Sequence, residues 1–342
     1  MSSHAVPVVA TASFVDVQMP DDVDYPAALA QLGNALQRWA GQAQQAIDDA
    51  SSFPDDVLDV WQVQEAQALR ASDPTTGCSS ALPRGLRKVG IDFVEQLIEC
   101  VGLPSGSLAR AGAILDIYTR RTARVTDLGS VLLTCFAICR LIQKTSQASA
   151  HARSMDLRRL SAFFRKSMSA LVPQELRFEE TERCKIEQEI LMALDWQIYP
   201  PTTESWLCAY MQRLDVATHG LLKPQFDALL ERSKGIAGGI LHGMTIFDLH
   251  PRQVASALLC CGLWSVGFLP PDFLRLSTTI NGSLLEAWFR LGETGPALDH
   301  IPSDARESTV RLLEMATNRS AGCLQEDVEA LMRIIHAAST PD

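Results

Sequence analysis

A segment in the middle of the chain, KIEQEILMALDWQIYPPTTESW over residues 185–206, limits the possible folds more than any other segment. Ile186, Ile190 and Leu194 recur at the spacing that places side chains on one helical face, so they predict a core-facing helix. The Pro-Pro pair that follows cannot continue this helix, because proline lacks a backbone N–H and fixes φ. Thr202, directly after the pair, supplies N-cap chemistry for a new helix. We therefore expect one helical unit to end here and a second to begin.

The composition predicts an almost entirely helical protein. Apolar residues make up 47% of the 342 residues, segments rich in Ala, Leu, Gln, Glu and Arg are common, and alternating β-branched runs are rare. A chain of this length can hold two hydrophobic cores of ordinary size, so two domains are expected. Helical periodicity indicates five helices between about residue 84 and the Pro-Pro pair, and a second, less clearly drawn five-helix unit after it.

Charge and cysteine usage narrow the classes of partner. The net charge is -10, and residues 1–80 carry most of it, with 11 acidic and 2 basic residues. Because the rest of the chain is close to neutral, we expect no nucleic-acid partner, although residues 144–177 form a local basic patch. Nine cysteines without regular spacing, and no recognisable signal peptide, predict a reducing, intracellular location. The most apolar run, residues 255–269, is shorter than the roughly 20 residues of a membrane span, so no membrane is expected.

The sequence shows no pattern of catalytic or metal-binding residues. Cys135 and Cys139 share a helical face, and Cys260 and Cys261 lie in an apolar segment. These spacings are typical of buried free thiols rather than of a zinc site. The sequence contains no phosphate-binding glycine loop, Ser-His-Asp arrangement or nucleophile elbow. We therefore predict no catalysis, no metal and no cofactor.

Five segments together resemble the cyclin family. The helix ending in Glu-x-Glu-Ile-Leu-x-x-Leu-Asp-Trp, followed by Pro-Pro-Thr-Thr, is similar to the end of the first of the family's two helical boxes. Residues 86–93 (LRKVGIDF) look like the opening helix of that box, and residues 111–118 (AGAILDIY) look like its second helix. Thr134 and Cys135 open the second half of the third helix as in the family, and residues 247–255 (FDLHPRQVA) are similar to a segment of the second box.

The resemblance implies both an architecture and a function. It places the first cyclin box at residues 81–199 and the second at 200–292, after an acidic, partly disordered extension with a helix near 27–48 and before a helical extension over 293–342. It implies a regulatory subunit that is not an enzyme. Such a subunit binds and activates a cyclin-dependent serine/threonine protein kinase in cell-cycle control, in the nucleus or the cytoplasm.

The family also implies roles for particular residues. Arg87 and Asp116 match positions that form a buried ion pair between the first and second helices. Glu187 matches the glutamate that, with a lysine at the end of the third helix, grips the regulatory helix of the kinase. That lysine position is Leu141 here, and Arg140 or Lys144 is expected to supply the positive charge instead. The alternative interpretation of Glu187 is a plain solvent-facing side chain.

A second surface of the family docks substrate motifs on the first helix. Leu86 and Phe93 match two positions of this apolar patch, but Gly90 replaces the leucine between them. A glycine offers no side chain to a pocket, so we expect the patch to be vestigial. The basic stretch over residues 144–177 has two interpretations: a solvated insertion, or an additional contact to the kinase.

Two other functions stay open at the level of sequence. Transcription factor IIB and related transcription proteins share a similar double-box fold and bind DNA, but no zinc-ribbon cysteines precede the helical units of this chain and their charge is not basic. A cyclin-fold scaffold that does not activate a kinase is the other alternative, because the usual lysine of the third helix is absent.

Overall fold

The prediction of an all-helical protein is confirmed. In a computed structural model of the protein, the described residues are 35, 38, 40–70, 82–104, 106–122, 125–145, 150–171, 180–220, 223–274 and 303–339. Over these ranges the chain forms helices, turns and irregular segments and no β-strand. Half of the helix predicted near residues 27–48, and residues 275–302 of the predicted second unit and C-terminal extension, lie outside the described residues.

Twelve helices follow one another along the described chain. They are α1 (Ala43–Ala50), α2 (Asp55–Arg70), α3 (Arg84–Val101), α4 (Gly106–Arg121), α5 (Leu128–Thr145), α6 (Ala150–Leu171), α7 (Glu180–Ala193), α8 (Thr203–Ala217), α9 (Lys223–Leu241), α10 (Pro251–Ser265), α11 (Ser303–Thr317) and α12 (Ala321–Ser339). The five helices predicted between residue 84 and the Pro-Pro pair are α3 to α7.

The first hydrophobic core is built around α5. This helix packs against α3, α4, α6 and α7, and its buried side chains lie on most of its circumference. Because α5 is apolar on most of its circumference, its side chains are buried only if other helices surround it at the centre of a bundle. By length and hydropathy α5 could also cross a membrane, but 72% of it is buried inside the protein. That degree of burial is typical of a core helix.

The second hydrophobic core forms around α8 and α10. Trp206 and Tyr210 of α8 are fully buried in it, and α12 packs along α10 while α11 packs against α8. Leu58 and Trp61 of α2 belong to the same core, as does α1. The helices treated in the sequence as terminal extensions therefore contribute apolar side chains to the core of α8 and α10.

The break between the two groups of helices follows from its sequence. Asp195 and Trp196 adopt the left-handed conformation, with φ of 50° and 64°, and the Trp196 N–H donates to the Leu191 carbonyl to close the end of α7. After the Pro-Pro pair, the Thr202 hydroxyl accepts the Ser205 N–H at 3.2 Å. The predicted N-cap at Thr202 is confirmed.

Candidate functional site

Glu187, Arg140 and Lys144, called here the Glu187 cluster, meet between α7 and the last turns of α5. The Glu187 side chain is only 7% exposed, and its Oε1 lies 2.8 Å from Arg140 Nε. Its Oε2 contacts Lys144 Nζ, and the Lys144 side chain is 39% exposed. Glu187 is therefore not a solvent-facing side chain, and the structure brings both candidate cations to it.

Helix geometry explains why Leu141 is not part of this cluster. Arg140 and Lys144 are four residues apart, so both lie on the face of α5 that meets Glu187. Leu141 is turned about 100° away from Arg140 on a helix of 3.6 residues per turn, and its side chain is buried in the first core. The Arg140 guanidinium also lies 5.7 Å from the centre of the Phe136 ring. One face of α5 therefore packs in the first core, and another face carries the two cations of the Glu187 cluster.

An exposed apolar rim, formed by Met192, Trp196 and Tyr199, follows the cluster along the chain. Their exposed fractions are 62%, 67% and 52%, which is unusual for such large apolar side chains. The Tyr199 hydroxyl donates to the Thr145 carbonyl at 2.8 Å, which places Tyr199 beside the end of α5, where Thr145 directly follows Lys144. Tyrosine, tryptophan and methionine are enriched at protein interfaces. The rim is therefore a candidate contact surface.

A groove of about 280 Å³ borders the other side of the same turn. It lies between α2, α4 and the turn after α7, and its walls combine polar and apolar side chains. Arg121 closes one end, where its Nη1 donates to the Ala193 carbonyl and lies 3.3 Å from Asp195. The lining residues are Gln64, Gln67, Ala68, Ile117, Arg121, Leu194, Asp195, Gln197 and Pro200.

Arg87 and Asp116 form a buried, two-pronged ion pair. Arg87 Nε donates to Asp116 Oδ1 at 2.7 Å, Nη2 donates to Oδ2 at 3.0 Å, and each side chain is 3% exposed. Arg87 Nη1 also donates to the Leu241 carbonyl at 2.6 Å, and the Ile246 N–H donates to Asp116 at 3.2 Å. Burial raises the pKa of Asp116, and the Arg87 guanidinium opposes that rise. The pair ties α3 and α4 to the segment after α9, so its role is structural.

The residues matched to a substrate-docking patch do not form an open surface. Phe93 is 4% exposed and packs against the Phe163 and Phe164 rings of α6 at 6.4 and 6.2 Å between centroids. Gly90 is buried against α5, and Leu86 is half-buried against the first core. The patch that the sequence analysis expected to be vestigial is covered in this structure, by α6 at Phe93 and by α5 at Gly90.

Several polar side chains buried in the second core were not predicted from the sequence. Glu65 of α2 is 5% exposed and accepts the Arg252 N–H at 3.0 Å, and burial raises its pKa. Asp327 of α12 is 1% exposed and accepts Ser256 Oγ at 2.6 Å and Arg319 Nη2 at 2.8 Å. Each is a single acidic residue inside a helical pattern, so periodicity alone could not identify it as buried.

Arg213 is another buried polar residue that was not predicted from the sequence. Its side chain is 1% exposed, and it donates to the Phe53 carbonyl at 2.8 Å, to Asp55 at 2.6 Å and to the Met315 carbonyl at 2.7 Å. These partners lie at the start of α2 and near the end of α11. Arg213 therefore fastens both terminal regions to α8.

The cysteines singled out in the sequence are buried side chains of the two cores. Cys135, Cys139, Cys260 and Cys261 are free and fully buried. Burial raises the pKa of the Cys135 and Cys261 thiols to about 12, so neither is a ready nucleophile at neutral pH. Within the ranges that the structure describes, no three His, Cys, Asp or Glu side chains are grouped so that they could hold a metal ion.

Comparison of the chain with models of protein families, with curated proteins and with solved structures finds no match in any of the three. A functional assignment therefore depends on the residues of this chain and on the resemblance of its motifs to the cyclin family.

Proposed function

We propose that this chain is a cyclin-like regulatory subunit that binds and activates a cyclin-dependent serine/threonine protein kinase. In this proposal α3 to α7 are the first cyclin box, and the helices after the Pro-Pro pair form the second. The observation that carries the proposal is the Glu187 cluster, in which one nearly buried carboxylate is held between two cations near the end of α5, where Tyr199 of the exposed apolar rim donates to the Thr145 carbonyl.

The charges of the cluster support an acidic contact from a partner. Two cations surround one carboxylate, so the cluster keeps one net positive charge. Arg140 is 11% exposed and holds Glu187, while Lys144 is 39% exposed and can reach a second acceptor. A flexible lysine stem allows that reach. In this arrangement Lys144 takes over the role that the resemblance gives to a lysine at position 141.

The rim supports the proposal by supplying apolar area. Protein interfaces obtain most of their binding energy from a few large side chains, with tryptophan and tyrosine prominent among them. Trp196 and Tyr199 are such side chains, and the stacked Arg110 guanidinium, 4.4 Å from the Tyr199 ring centre, holds the tyrosine in place. Binding of the kinase's regulatory helix to this surface positions that helix so that its glutamate reaches the catalytic lysine, an ion pair that phosphoryl transfer requires.

One observation favours the alternative of a cyclin-fold scaffold that does not activate a kinase. Glu187 already has both of its oxygens in contact with cations of its own chain, so it has no need of a partner. In a scaffold the Glu187 cluster would only join α5 to α7. In an activating cyclin, Lys144 and the rim contact the kinase. In a scaffold that does not activate a kinase, they do not.

Direct binding to purified cyclin-dependent kinases tests the proposal. We expect Lys144→Glu and Trp196→Ala each to weaken binding by about tenfold or more, because a reversed charge and a lost aromatic anchor act at the interface. Val63→Ala is the matched control, because Val63 is an apolar residue of α2 that is 55% exposed and belongs neither to the Glu187 cluster nor to the rim. Melting temperatures should be similar for Trp196→Ala and Val63→Ala, because these side chains are 67% and 55% exposed. Lys144→Glu should melt lower, because it places a second carboxylate beside the nearly buried Glu187, so its binding is measured below its own melting temperature. If Lys144→Glu and Trp196→Ala bind the kinase as tightly as Val63→Ala does, neither Lys144 nor the rim is part of the interface.

A further inference from the structure

The turn that carries Trp196 has an unusual residue at the position that ends α7. The Asp195 N–H donates to the Met192 carbonyl at 3.1 Å. The Trp196 N–H donates to the Leu191 carbonyl at 2.8 Å. This pair of bonds is the Schellman motif, whose left-handed position is usually a glycine. Here that position is Asp195, with a φ of 50°, and Trp196 after it has a φ of 64°. Both residues therefore adopt a conformation that side chains other than glycine seldom adopt.

Arg121, the last residue of α4, contacts this turn from outside α7. Its Nη1 donates to the Ala193 carbonyl and lies 3.3 Å from Asp195 Oδ2. The Ala193 carbonyl belongs to the last turn of α7, where carbonyls have no N–H partner within the helix. A glycine at position 195 would suit the left-handed conformation, but it would offer no carboxylate to Arg121. The contact with Arg121 therefore gives a reason for an aspartate at this position.

The two partners of this contact differ in how firmly they are held. The Arg121 side chain is 14% exposed and ends a helix that packs against α3 and α5 in the first core. The Asp195 side chain is 78% exposed, so solvent screens its ion pair with Arg121 and the bond to the Ala193 carbonyl is the stronger of the two contacts. The contact therefore restrains the exposed turn more than it restrains α4.

The backbone of the turn sets the direction of the Trp196 side chain. Trp196 is 67% exposed, so its ring has little packing of its own to hold it. The rotamers that a side chain can adopt depend on the φ and ψ of its residue. If Trp196 left the left-handed region, its ring would therefore point in another direction. An interface side chain that is already in its bound position loses less conformational freedom when the partner binds.

We propose that Arg121 is a positioning residue, which fixes the left-handed turn at Asp195 and Trp196 and thereby presents Trp196 to the partner. The identity of that partner rests on the proposed function, whereas the fixing of the turn is a property of the free chain. Arg121 lies outside the rim, so its effect on binding is indirect. Because α4 belongs to the first core, this contact also connects that core to the rim.

Amide hydrogen exchange of the free, full-length protein tests the turn itself. Arg121→Met keeps an apolar stem of similar length but removes the donors. We expect exchange in peptides that cover residues 191–199 to become about tenfold faster or more, because the turn opens more often. Asp195→Asn should exchange like the parent, because asparagine tolerates the left-handed conformation and its amide oxygen can accept from Arg121.

Arg84→Met is the matched control for the exchange measurement, because Arg84 is an exposed arginine of α3. It should leave exchange over residues 191–199 unchanged. Exchange in Arg121→Met that equals that of the parent would overturn the proposal, whether or not a kinase binds.

Kinase binding distinguishes the positioning of Trp196 from a general support of α7. We expect Arg121→Met to weaken binding by about threefold or more when Trp196 is present and to add nothing in Trp196→Ala, because both changes act through the same ring. If the two losses multiply instead, Arg121 does not act through Trp196 and the proposal is overturned. If no kinase binds the parent, the proposed function fails, and the exchange measurement alone decides whether Arg121 fixes the turn.

Discussion

Replacing Arg87 by alanine removes three hydrogen bonds from the protein interior at once. Two of them hold Asp116, and the third satisfies the Leu241 carbonyl. The Asp116 carboxylate, 3% exposed, would then keep, among the described residues, the Ile246 N–H as its hydrogen-bond donor. A buried charge that loses its partner costs about 3–5 kcal/mol of folding stability, and the orphaned carbonyl places the expected loss toward the upper end of that range.

Urea denaturation followed by circular dichroism and tryptophan fluorescence measures this loss. For a slope m near 3 kcal/mol/M, a loss of about 3–5 kcal/mol lowers the midpoint by about 1–1.7 M urea. Lys88→Ala is the matched control, because Lys88 is the exposed neighbour of Arg87 on α3, and its loss should change stability by less than about 0.5 kcal/mol.

A double-mutant cycle isolates the pair itself. Removing Asp116 as well as Arg87 eliminates the stranded charge, so the double variant should be more stable than the sum of the two single losses implies, by on the order of 1–3 kcal/mol. An Arg87→Ala loss below about 1 kcal/mol, or additive single losses, would refute the reasoning, because neither is compatible with a desolvated ion pair.

Three further predictions address packing, the terminal helices and pH. Gly90→Ala should destabilise the protein by about 1–3 kcal/mol in thermal melts, because the new Cβ would lie 2.9 Å from Val131 Cγ1, whereas Gly85→Ala, with no atom within 4 Å of its Cβ, should be neutral or slightly stabilising. Arg213→Met should cost about 2–4 kcal/mol, because two buried carbonyls lose their donor, and should speed proteolysis between α1 and α2; unchanged cleavage there would contradict the fastening role. Burial raises the pKa of Glu65, so the folded state binds this proton more tightly than the unfolded state does, and stability is lost as pH rises from about 4.5 through the folded pKa. Glu65→Gln removes the titrating carboxyl, so the difference in unfolding free energy between the variant and the parent should grow as the pH rises from 4 to 8. A difference that is constant over this range would contradict the raised pKa of Glu65.

Helix positions could be predicted well, because they follow from short-range patterns. The spacing of Ile186, Ile190 and Leu194 predicted α7, and Thr202 predicted the start of α8. Arg87 and Asp116, 29 residues apart in the chain, were paired only through the resemblance to cyclins, since no periodic pattern links residues on different helices.

Tertiary features set by single residues could not be predicted in the same way. A lone arginine in an amphipathic helix, such as Arg213, has the same sequence signal whether it faces solvent or the core. The exclusion of Phe93 from the surface depends on α6, whose packing direction no local pattern specifies. The attachment of α2 to the second core likewise depends on Glu65 and Arg213, each a single side chain that meets distant partners.

The phosphotransfer rate of purified, monomeric cyclin-dependent kinases, with and without this protein, tests the central claim most directly. The account predicts that at least one kinase is stimulated by about tenfold or more, and that Lys144→Glu and Trp196→Ala reduce this stimulation at subsaturating protein while Val63→Ala does not. If no kinase in a complete panel is bound or stimulated, the chain is not an activating cyclin. Binding without stimulation would instead identify the scaffold.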